Sequence, residues 1–199
     1  MDIHEEKKII RKEYREKIKR YKESDMRERT ERILCFIKAS SFYTDKIIVA
    51  LYAGTHNEVS LHDLFLDAQN DKKTSVFPKY QGKNSLRFYQ VFHEKDLEIG
   101  AFGILEPREG SQDVPTNSID VFFVPGVCFD SWGNRLGSGL GCYDEALKEA
   151  KSDAIFIGVA FSFQIAEEKL PTRREDIPMH YVITENAIIE ARIKAKHIY

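Results

Sequence analysis

Three apolar runs, separated by segments with helical periodicity, constrain the fold of this chain more than any other feature. The runs are KIIVALYAG (46–54), IDVFFVPG (119–126) and AIFIGVAF (154–161), and their β-branched character is typical of buried strands. Strands that alternate with helices in this way form parallel sheets with helices on both faces. We therefore predict an α/β fold: a three-layer α/β/α single domain with a largely parallel central sheet and a Rossmann-like topology.

Weaker patterns predict the remaining elements. The predicted helices are 7–22, a second helix that Ser24 and Asp25 cap, 60–68 and 144–151. The further predicted strands are 73–80, 85–92 and a last strand or hairpin within 180–190. Ser60 and Asp63 form a capping-box pattern that would open the helix over 60–68. Pro78 would stop the short strand predicted over 73–80. We expect one domain over 1–199, with N-terminal helices at 5–41 and an α/β core at 46–190.

Composition and charge exclude several classes of function. Thirty basic and 32 acidic residues give a net charge of −2, so no overall field attracts nucleic acid or anionic membranes. The basic face of the segment 7–22 shows no aromatic interleaving suited to stacking on RNA bases, and no RNA-binding motif accompanies it. The three cysteines form no CxxC pair, and there is no leader-like apolar segment. We expect a monomeric cytoplasmic protein with a small-molecule substrate and no nucleic-acid or membrane partner.

The segment VFFVPGVCFDSWGNRLGSGLGCYDEAL (121–147) contains a glycine loop, here the residues 137–141. Gly137, Gly139 and Gly141 alternate, and glycine allows a backbone to turn its amides inward around an anion such as phosphate. A plain surface turn is the alternative that the glycines alone leave open. The GxGxG spacing differs from the GxGxxG of dinucleotide-binding turns, and no GK[ST] follows, so it is not a Walker P-loop.

Two charged residues flank the glycine loop. Arg135 precedes it by two residues and has the geometry to pair with phosphate oxygens. Asp144 follows it and is the residue type that holds Mg²⁺ beside a nucleotide, although capping of the following helix is an ordinary alternative. Together the loop and its flanks favour a nucleotide site.

The same segment resembles the signature of the 5-formyltetrahydrofolate cyclo-ligase (5,10-methenyltetrahydrofolate synthetase) family, PG-x-x-F-D-x-x-G-x-R-L-G-x-G-x-G-Y-Y-D. Further segments resemble the family in the expected order: the basic N-terminal helix, NEVSLHDLF, VFPKY, FGILEP and REDIPMHYVITENAII. This resemblance extends over most of the chain and is far more specific than the glycines alone.

The resemblance implies an ATP site formed by the N-terminal helix and the glycine loop. The residues it assigns to ATP are Lys7, Lys8, Ile9, Ile10, Arg11, Arg135, Leu136, Gly137, Ser138, Gly139, Leu140, Gly141, Cys142 and Tyr143. Lys7 and Arg11 stand four apart, so both project from one helix face and can meet a polyphosphate together. The alternative is a solvated basic face, to which Arg15 is expected to belong.

The resemblance also implies magnesium and folate sites. Asp144 and Asp176 match the magnesium positions, and two carboxylates suit a hard cation that keeps part of its water. Glu58 matches the acid that accepts the adjacent N–H donors of the pterin, with Ala53 beside it. Phe102 and Gly103 are expected to wall the pterin pocket, although such a phenylalanine is more often part of the core.

The implied reaction is the ATP- and Mg²⁺-dependent cyclisation of 5-formyltetrahydrofolate to 5,10-methenyltetrahydrofolate, with release of ADP and phosphate. No protein nucleophile is needed, and Lys7, Arg11 and Arg135 would stabilise the charge of the transition state. Two other functions stay open. One is a related ATP-dependent ligase or phosphotransferase acting on another pterin-like small molecule, and the other is a non-catalytic nucleotide-binding homologue.

Three positions depart from the family pattern. Ser138 replaces a basic or bulky residue, Cys142 replaces the first tyrosine of a pair, and His180 replaces an acid. We expect Ser138 and Cys142 to affect rate and selectivity, and His180 to have a structural role.

Overall fold

The computed structural model describes residues 2–192, so residues 1 and 193–199 of the predicted domain lie outside the described part. The helices are α1 (Ile3–Ile18), α2 (Glu23–Lys38), α3 (Ser41–Thr44), α4 (His62–Asn70) and α5 (Cys142–Leu147). The strands are β1 (Ile48–Ala50), β2 (Thr74–Tyr80), β3 (Leu86–Gln90), β4 (Leu97–Ile99), β5 (Leu105–Pro107), β6 (Asp113–Val114), β7 (Val121–Val124), β8 (Cys128–Asp130), β9 (Arg135–Leu136), β10 (Ile155–Val159), β11 (Ile165–Ala166), β12 (Tyr181–Ile183) and β13 (Ile188–Glu190).

An eight-stranded sheet organises the chain, in the order β13-β12-β10-β7-β1-β2-β3-β6. The five strands from β12 to β2 are parallel, whereas β13, β3 and β6 pair antiparallel at the two edges. In the centre Ala50 of β1 is level with Val76 on β2 and Phe122 on β7. From β1 the chain first builds outward through β2 and later returns to the other side through β7, which makes the gap between β1 and β7 a topological switch point.

Helices cover both faces of the sheet, as the alternating pattern predicts. Residues of α1, α2 and α4 pack with one face in a core that includes Ile33, Leu64 and Phe123. The short helix α5 and the segment around Phe129 cover the other face. Because successive strand residues point to opposite faces, the apolar runs supply both cores at once. The predicted three-layer fold is confirmed. Within the described residues, no helix has both the length and the apolar composition needed to cross a bilayer.

Several predicted helix boundaries are wrong. The first helix spans Ile3–Ile18 rather than 7–22, and the second begins at Glu23, so Ser24 and Asp25 lie inside it and do not cap it. The helix predicted over 60–68 begins at His62 without a side-chain cap. The Ser60 hydroxyl accepts a hydrogen bond from the His62 amide at 3.3 Å, so it turns the chain one step before the helix.

Pro78 does not end its strand, because β2 continues to Tyr80. The carbonyl of Val76 accepts a hydrogen bond from the Leu51 amide. The backbone N–H and C=O groups of β2 residues at even positions therefore point toward β1. The ladder with β1 stops at Val76, and the missing N–H of Pro78 therefore points where no neighbouring β1 residue needs it. The segment 180–190 forms the expected hairpin, of β12 and β13.

Asp130 fixes the hairpin of β8 and β9, which leads into the glycine loop. Its carboxylate is fully buried and accepts hydrogen bonds from the amides of Trp132, Asn134 and Leu170, at 2.7 to 3.0 Å, and from the Asn134 side chain at 2.7 Å. Gly133 closes the turn with φ of +80°, and a Cβ there would overlap a backbone carbonyl. These contacts hold the backbone that carries Arg135.

Substitution Asp130→Ala is expected to lower the free energy of unfolding by about 3 kcal/mol, because it leaves buried amides without an acceptor. Urea denaturation monitored by circular dichroism measures the change. Asp153→Ala, at an exposed position, serves as the control and should stay within about 0.5 kcal/mol of the wild type. Equal stability of the two variants would contradict the structural role of Asp130.

Candidate active site

A cavity of about 480 Å³ lies beyond the carboxyl ends of the central parallel strands. Its wall includes Tyr52 and Ala53, which follow β1, Tyr80 at the end of β2, and Pro125 and Gly126, which follow β7. Loops after β1 and β7 diverge here because the two strands connect in opposite directions, and ligands of α/β sheets bind in such crevices. The structure thus places the cavity at the topological switch point.

The N-terminal helix closes one side of this cavity with a basic face. Lys7 is buried and forms an ion pair with Asp176. One turn later Arg11 Nε donates to the Gly137 carbonyl at 2.8 Å, and Arg15 lies 3.5 Å from the Ser138 carbonyl. Arg15 is exposed, as expected for a residue of a solvated face, and its guanidinium also reaches the glycine loop at this carbonyl.

The glycine loop itself has the conformation that only glycine adopts without strain. Gly139 and Gly141 have φ of +116° and +71°, whereas Gly137 does not have a positive φ. At Gly137 a Cβ would instead overlap the Arg135 guanidinium. Across the described residues, the amides of 137–141 donate to no protein acceptor. They are therefore free to bind an anion that enters the cavity.

The two carboxylates assigned to magnesium line the same cavity, and each is already paired with a basic residue. Asp144 accepts from Arg135 Nη2 at 3.1 Å and from the Ile177 amide at 3.1 Å. Asp144 is the third residue of α5 and makes no capping bond, so the capping alternative does not describe it. Asp176 accepts from Lys7 and from the Arg173 amide.

Glu58 and Ala53 lie in the wall of the cavity with Arg135 and the glycine loop. One oxygen of the Glu58 carboxylate, Oε2, accepts both the Thr55 amide at 2.9 Å and the Thr55 hydroxyl at 3.0 Å. These bonds hold the side chain in place and leave the other oxygen for a ligand. Burial, and secondarily the charge of Glu58, raise the pKa of Tyr143 well above its usual range.

Phe102 is not a core residue. Its side chain is 70% exposed, and its backbone has φ of +58°, a strained conformation for a phenylalanine. The ring lies against Tyr80, with centroids 5.3 Å apart, in the wall of the cavity. An exposed aromatic ring at the mouth of a cavity offers a flat surface for a planar ligand.

Four of the predicted site residues do not line this cavity. Lys8 and Ile9 border a second depression of about 550 Å³, which shares Glu58, Gly126 and Ser138 with the cavity, and Ile10 packs into a small core with Leu136. Gly103 neighbours Phe102 but does not line the cavity. Their separation follows from helix geometry, because adjacent residues of a helix project about 100° apart.

Sequence reasoning missed several residues of the cavity wall. Tyr80, Glu106 and Glu175 stand within the family-like segments VFPKY, FGILEP and REDIPMHYVITENAII, a signal that could have found them. His4, Tyr52 and Arg173 reach the cavity through tertiary packing and gave no such signal.

The departures from the family pattern have structural explanations of different kinds. Cys142 lines the cavity, and burial raises the pKa of its thiol, which opposes formation of a nucleophilic thiolate. His180 does not line the cavity. Its Nδ1 accepts the Phe156 amide at 2.9 Å and its ring packs on the Phe156 ring, so it stabilises the junction of β10 and β12.

Comparison with known proteins agrees with this geometry. The model of the 5-formyltetrahydrofolate cyclo-ligase family matches residues 3–185. The chain belongs to this family. A 5-formyltetrahydrofolate cyclo-ligase of Haemophilus influenzae is 33% identical over 139 residues, which cover 68% of this chain and 74% of the relative. The resemblance of the glycine-loop segment to the family signature is therefore confirmed.

Two further relatives extend the match over almost the whole chain. The NMR structure of Aquifex aeolicus 5,10-methenyltetrahydrofolate synthetase superposes with a TM-score of 0.83 at 35% identity, covering 97% of this chain and 96% of that one. A 5-formyltetrahydrofolate cyclo-ligase of Arabidopsis thaliana is 27% identical over 212 residues, covering 94% of this chain and 76% of the relative. It is named as mitochondrial, so family membership does not fix the expected cytoplasmic location.

The neutral form of His180 is expected to stabilise the fold, because burial lowers its pKa and Nδ1 must be unprotonated to accept the Phe156 amide. Unfolding restores the ordinary pKa of about 6.5, so the unfolded chain binds more protons than the folded one. The contribution of neutral His180 to the free energy of unfolding is therefore present above pH 6.5, and it is lost as the pH falls below that value.

We predict that the free-energy difference between wild type and His180→Asn shrinks between pH 7.5 and pH 5.5, as measured by urea denaturation. Asparagine offers an acceptor that does not titrate. A hydrogen bond to Glu94 raises the pKa of the exposed His62, so its contribution to stability has the opposite pH dependence. His62 is present in both proteins, and its contribution therefore cancels in the free-energy difference. A difference that is the same at both pH values would contradict this role.

Proposed function

We propose that this chain uses ATP and Mg²⁺ to convert 5-formyltetrahydrofolate to 5,10-methenyltetrahydrofolate, with release of ADP and phosphate. The observation that carries the proposal is that basic groups, loop amides and a carboxylate line one cavity in a chain of this ligase family. Arg135, Lys7 and the free amides of the glycine loop line this cavity together with the carboxylate Glu58. A phosphate donor needs the basic groups and N–H donors, and a pterin needs the carboxylate.

The basic side chains and the glycine loop are the proposed site of the triphosphate. Lys7 and Arg11 project from the same face of α1, and Arg135 is almost fully buried beside the loop. Together with the free amides of 137–141 they supply charge-assisted hydrogen bonds to phosphate oxygens. Of the other residues that the family resemblance assigns to ATP, Leu136, Ser138, Leu140, Cys142 and Tyr143 also line the cavity.

Mg²⁺ is proposed to bind at Asp144 and Asp176. The donor set fits this ion, because Mg²⁺ commonly takes one or two protein carboxylates and fills its remaining positions with water and substrate phosphates. Among residues 2–192 no group of three acidic, histidine or cysteine side chains forms a metal site by itself. We therefore propose that the ion enters together with the nucleotide, where it neutralises phosphate charge.

The folate is proposed to lie between Glu58 and Phe102. A 2-amino-4-oxo pteridine presents adjacent N–H donors, and the free oxygen and the geometry of a carboxylate match them. Phe102 and Tyr80 offer aromatic surface at the mouth of the cavity, and Ala53 leaves room beside Glu58. The same carboxylate argues for a pterin-like substrate over other acceptors.

The reaction follows from bringing the two ligands together. The formyl oxygen on N5 attacks the γ-phosphoryl group, N10 then closes onto the activated carbon, and the oxygen leaves as phosphate. The protein aligns the reactants and stabilises the developing charge with Lys7, Arg11 and Arg135. It contributes no covalent intermediate, which agrees with the raised pKa of the Cys142 thiol.

Purified protein is expected to form the methenyl chromophore from 5-formyltetrahydrofolate when ATP and Mg²⁺ are both present, as followed by its absorbance. Lys7→Gln should raise the KM for ATP about tenfold or more while changing the KM for folate little, since it removes a charge-assisted phosphate contact. Lys12→Gln, an exposed neutral control on the same helix, should match the wild type. No absorbance change with any nucleotide, from folded protein, would refute the proposed function.

Nucleotide and metal are expected to bind as a coupled pair, because Lys7 is engaged by Asp176 until a cation replaces it. In calorimetry, wild-type protein should bind ATP about tenfold more weakly in EDTA than with Mg²⁺. Asp176→Asn should bind metal-free ATP more tightly than wild type does and gain less from Mg²⁺. Asp67→Asn, which breaks an exposed ion pair with Lys38, is the control. An unchanged effect of Mg²⁺ in Asp176→Asn would contradict the coupling.

A further inference from the structure

The charges of the cavity wall are unevenly compensated. Lys7 and Arg135 are paired with Asp176 and Asp144. Glu106 also lines the cavity, but no ion pair to it occurs within residues 2–192. Lys79 on β2 donates to the Pro107 carbonyl at 2.7 Å and not to this carboxylate. A buried carboxylate without a cation is costly, so it is retained where a ligand supplies the missing charge.

The structure holds the Glu106 side chain firmly in the wall. The residue is 9% exposed and lies on β5, and its Oε1 accepts the Tyr80 amide at 3.2 Å. Gly100 packs directly against the carboxyl group, because a Cβ at that position would overlap it. The Tyr80 amide is the only hydrogen-bond donor to this side chain in the part of the chain that the structure describes, and Oε2 is not among the fully buried polar atoms. One oxygen is thus anchored to the backbone and the other is available.

The proposed reaction creates a positive charge that such a carboxylate can balance. The nitrogen N10 forms a bond to the formyl carbon, the bond from that carbon to the phosphorylated oxygen breaks, and the N10 proton leaves with the phosphate. The product is a formamidinium cation, with its charge shared by N5 and N10, whereas the substrate is neutral at this centre. A fixed carboxylate close to the developing charge lowers the energy of the cation relative to the substrate.

We propose that Glu106 is a second carboxylate of the folate pocket, which balances the cationic charge formed during ring closure. The proposal rests on the proposed function, since that reaction generates the cation. Glu58 is already assigned to the neutral pterin donors, and Asp144 and Asp176 are engaged by basic groups. Glu106 is therefore the acid of the wall that has neither a basic partner nor an assigned ligand.

The alternative is that Glu106 has a structural role, as an acceptor for the Tyr80 amide beneath the Phe102 loop. A structural defect would weaken the binding of all folates alike. Charge balance instead predicts a selective loss for the cationic ligand, because 5,10-methenyltetrahydrofolate carries the charge and 5-formyltetrahydrofolate does not. The comparison of these two ligands separates the alternatives.

The test uses Glu106→Gln, which keeps an acceptor oxygen for Tyr80 and removes the charge. Equilibrium binding of both folates is measured by calorimetry, and folding is checked by thermal denaturation. Glu98→Gln is the matched control, because Glu98 pairs with Glu106 across β4 and β5 but is exposed. We expect Glu106→Gln to bind the methenyl compound about tenfold or more weakly, with the affinity for the formyl compound nearly unchanged, and Glu98→Gln to match the wild type.

An equal loss for both ligands, or no loss for either, would overturn the charge-balancing role of Glu106. So would an equal effect of Glu98→Gln. In each of these cases the wild-type protein still binds folate and forms the chromophore, so the proposed function stands. Wild-type protein that binds neither folate and forms no chromophore refutes the proposed function, and the role of Glu106 with it.

Discussion

Lys7 and Asp176 are 169 residues apart in the chain, and their ion pair joins the first helix to the segment that precedes the last strands. Lys7 is buried, so its charge requires a partner nearby. The pair draws α1 across the carboxyl edge of the sheet. Arg11 and Arg15 then meet the carbonyls of the glycine loop, and α1 becomes one wall of the cavity. The contact therefore adds a basic helix face to the crevice beyond the strand ends, and the packing of Ile10 and Ile18 supports it.

The same pairing explains how a site proposed to bind highly charged ligands is stable before they arrive. Arg135 and Asp144 repeat the arrangement on the opposite side of the loop, at 3.1 Å. A triphosphate and a divalent cation carry charges complementary to the two halves of each pair. We infer that binding exchanges ion pairs within the protein for pairs with the ligands, so that buried charge is compensated in both states.

The fold and most of the site were predictable because they depend on local patterns. Apolar runs with intervening helices identify the layers and the parallel sheet, and the signature around Arg135 and Asp144 identifies the family. Boundaries were less predictable: Ser24 and Asp25 lie inside a helix because the turn falls earlier, and Pro78 stays in its strand because the neighbouring strand has ended. These boundaries depend on how neighbouring elements are aligned with one another, and the sequence of a single segment does not determine that alignment.

The cavity wall likewise contains residues that the sequence identified and residues whose position depends on packing. Lys7, Arg11, Glu58 and Asp176 were identified through the family resemblance, and the structure brings all four to one cavity. Lys8, Ile9 and Ile10 share their helix but point elsewhere, as helical geometry requires. Glu106 stands in the family-like segment FGILEP, but the sequence did not indicate its burial, because an acid in a short strand is usually exposed. Its burial follows from the packing of the strand pair β4 and β5 against the end of β2.

We infer that the triphosphate replaces the carboxylates as the partner of Lys7 and Arg135. A crystal structure with a non-hydrolysable ATP analogue and Mg²⁺ would show this exchange. Phosphate oxygens are expected on the amides of 137–141, with Lys7 and Arg135 turned toward them and the cation at Asp144 and Asp176. Phosphates bound elsewhere, with both ion pairs of the free protein intact, would contradict it.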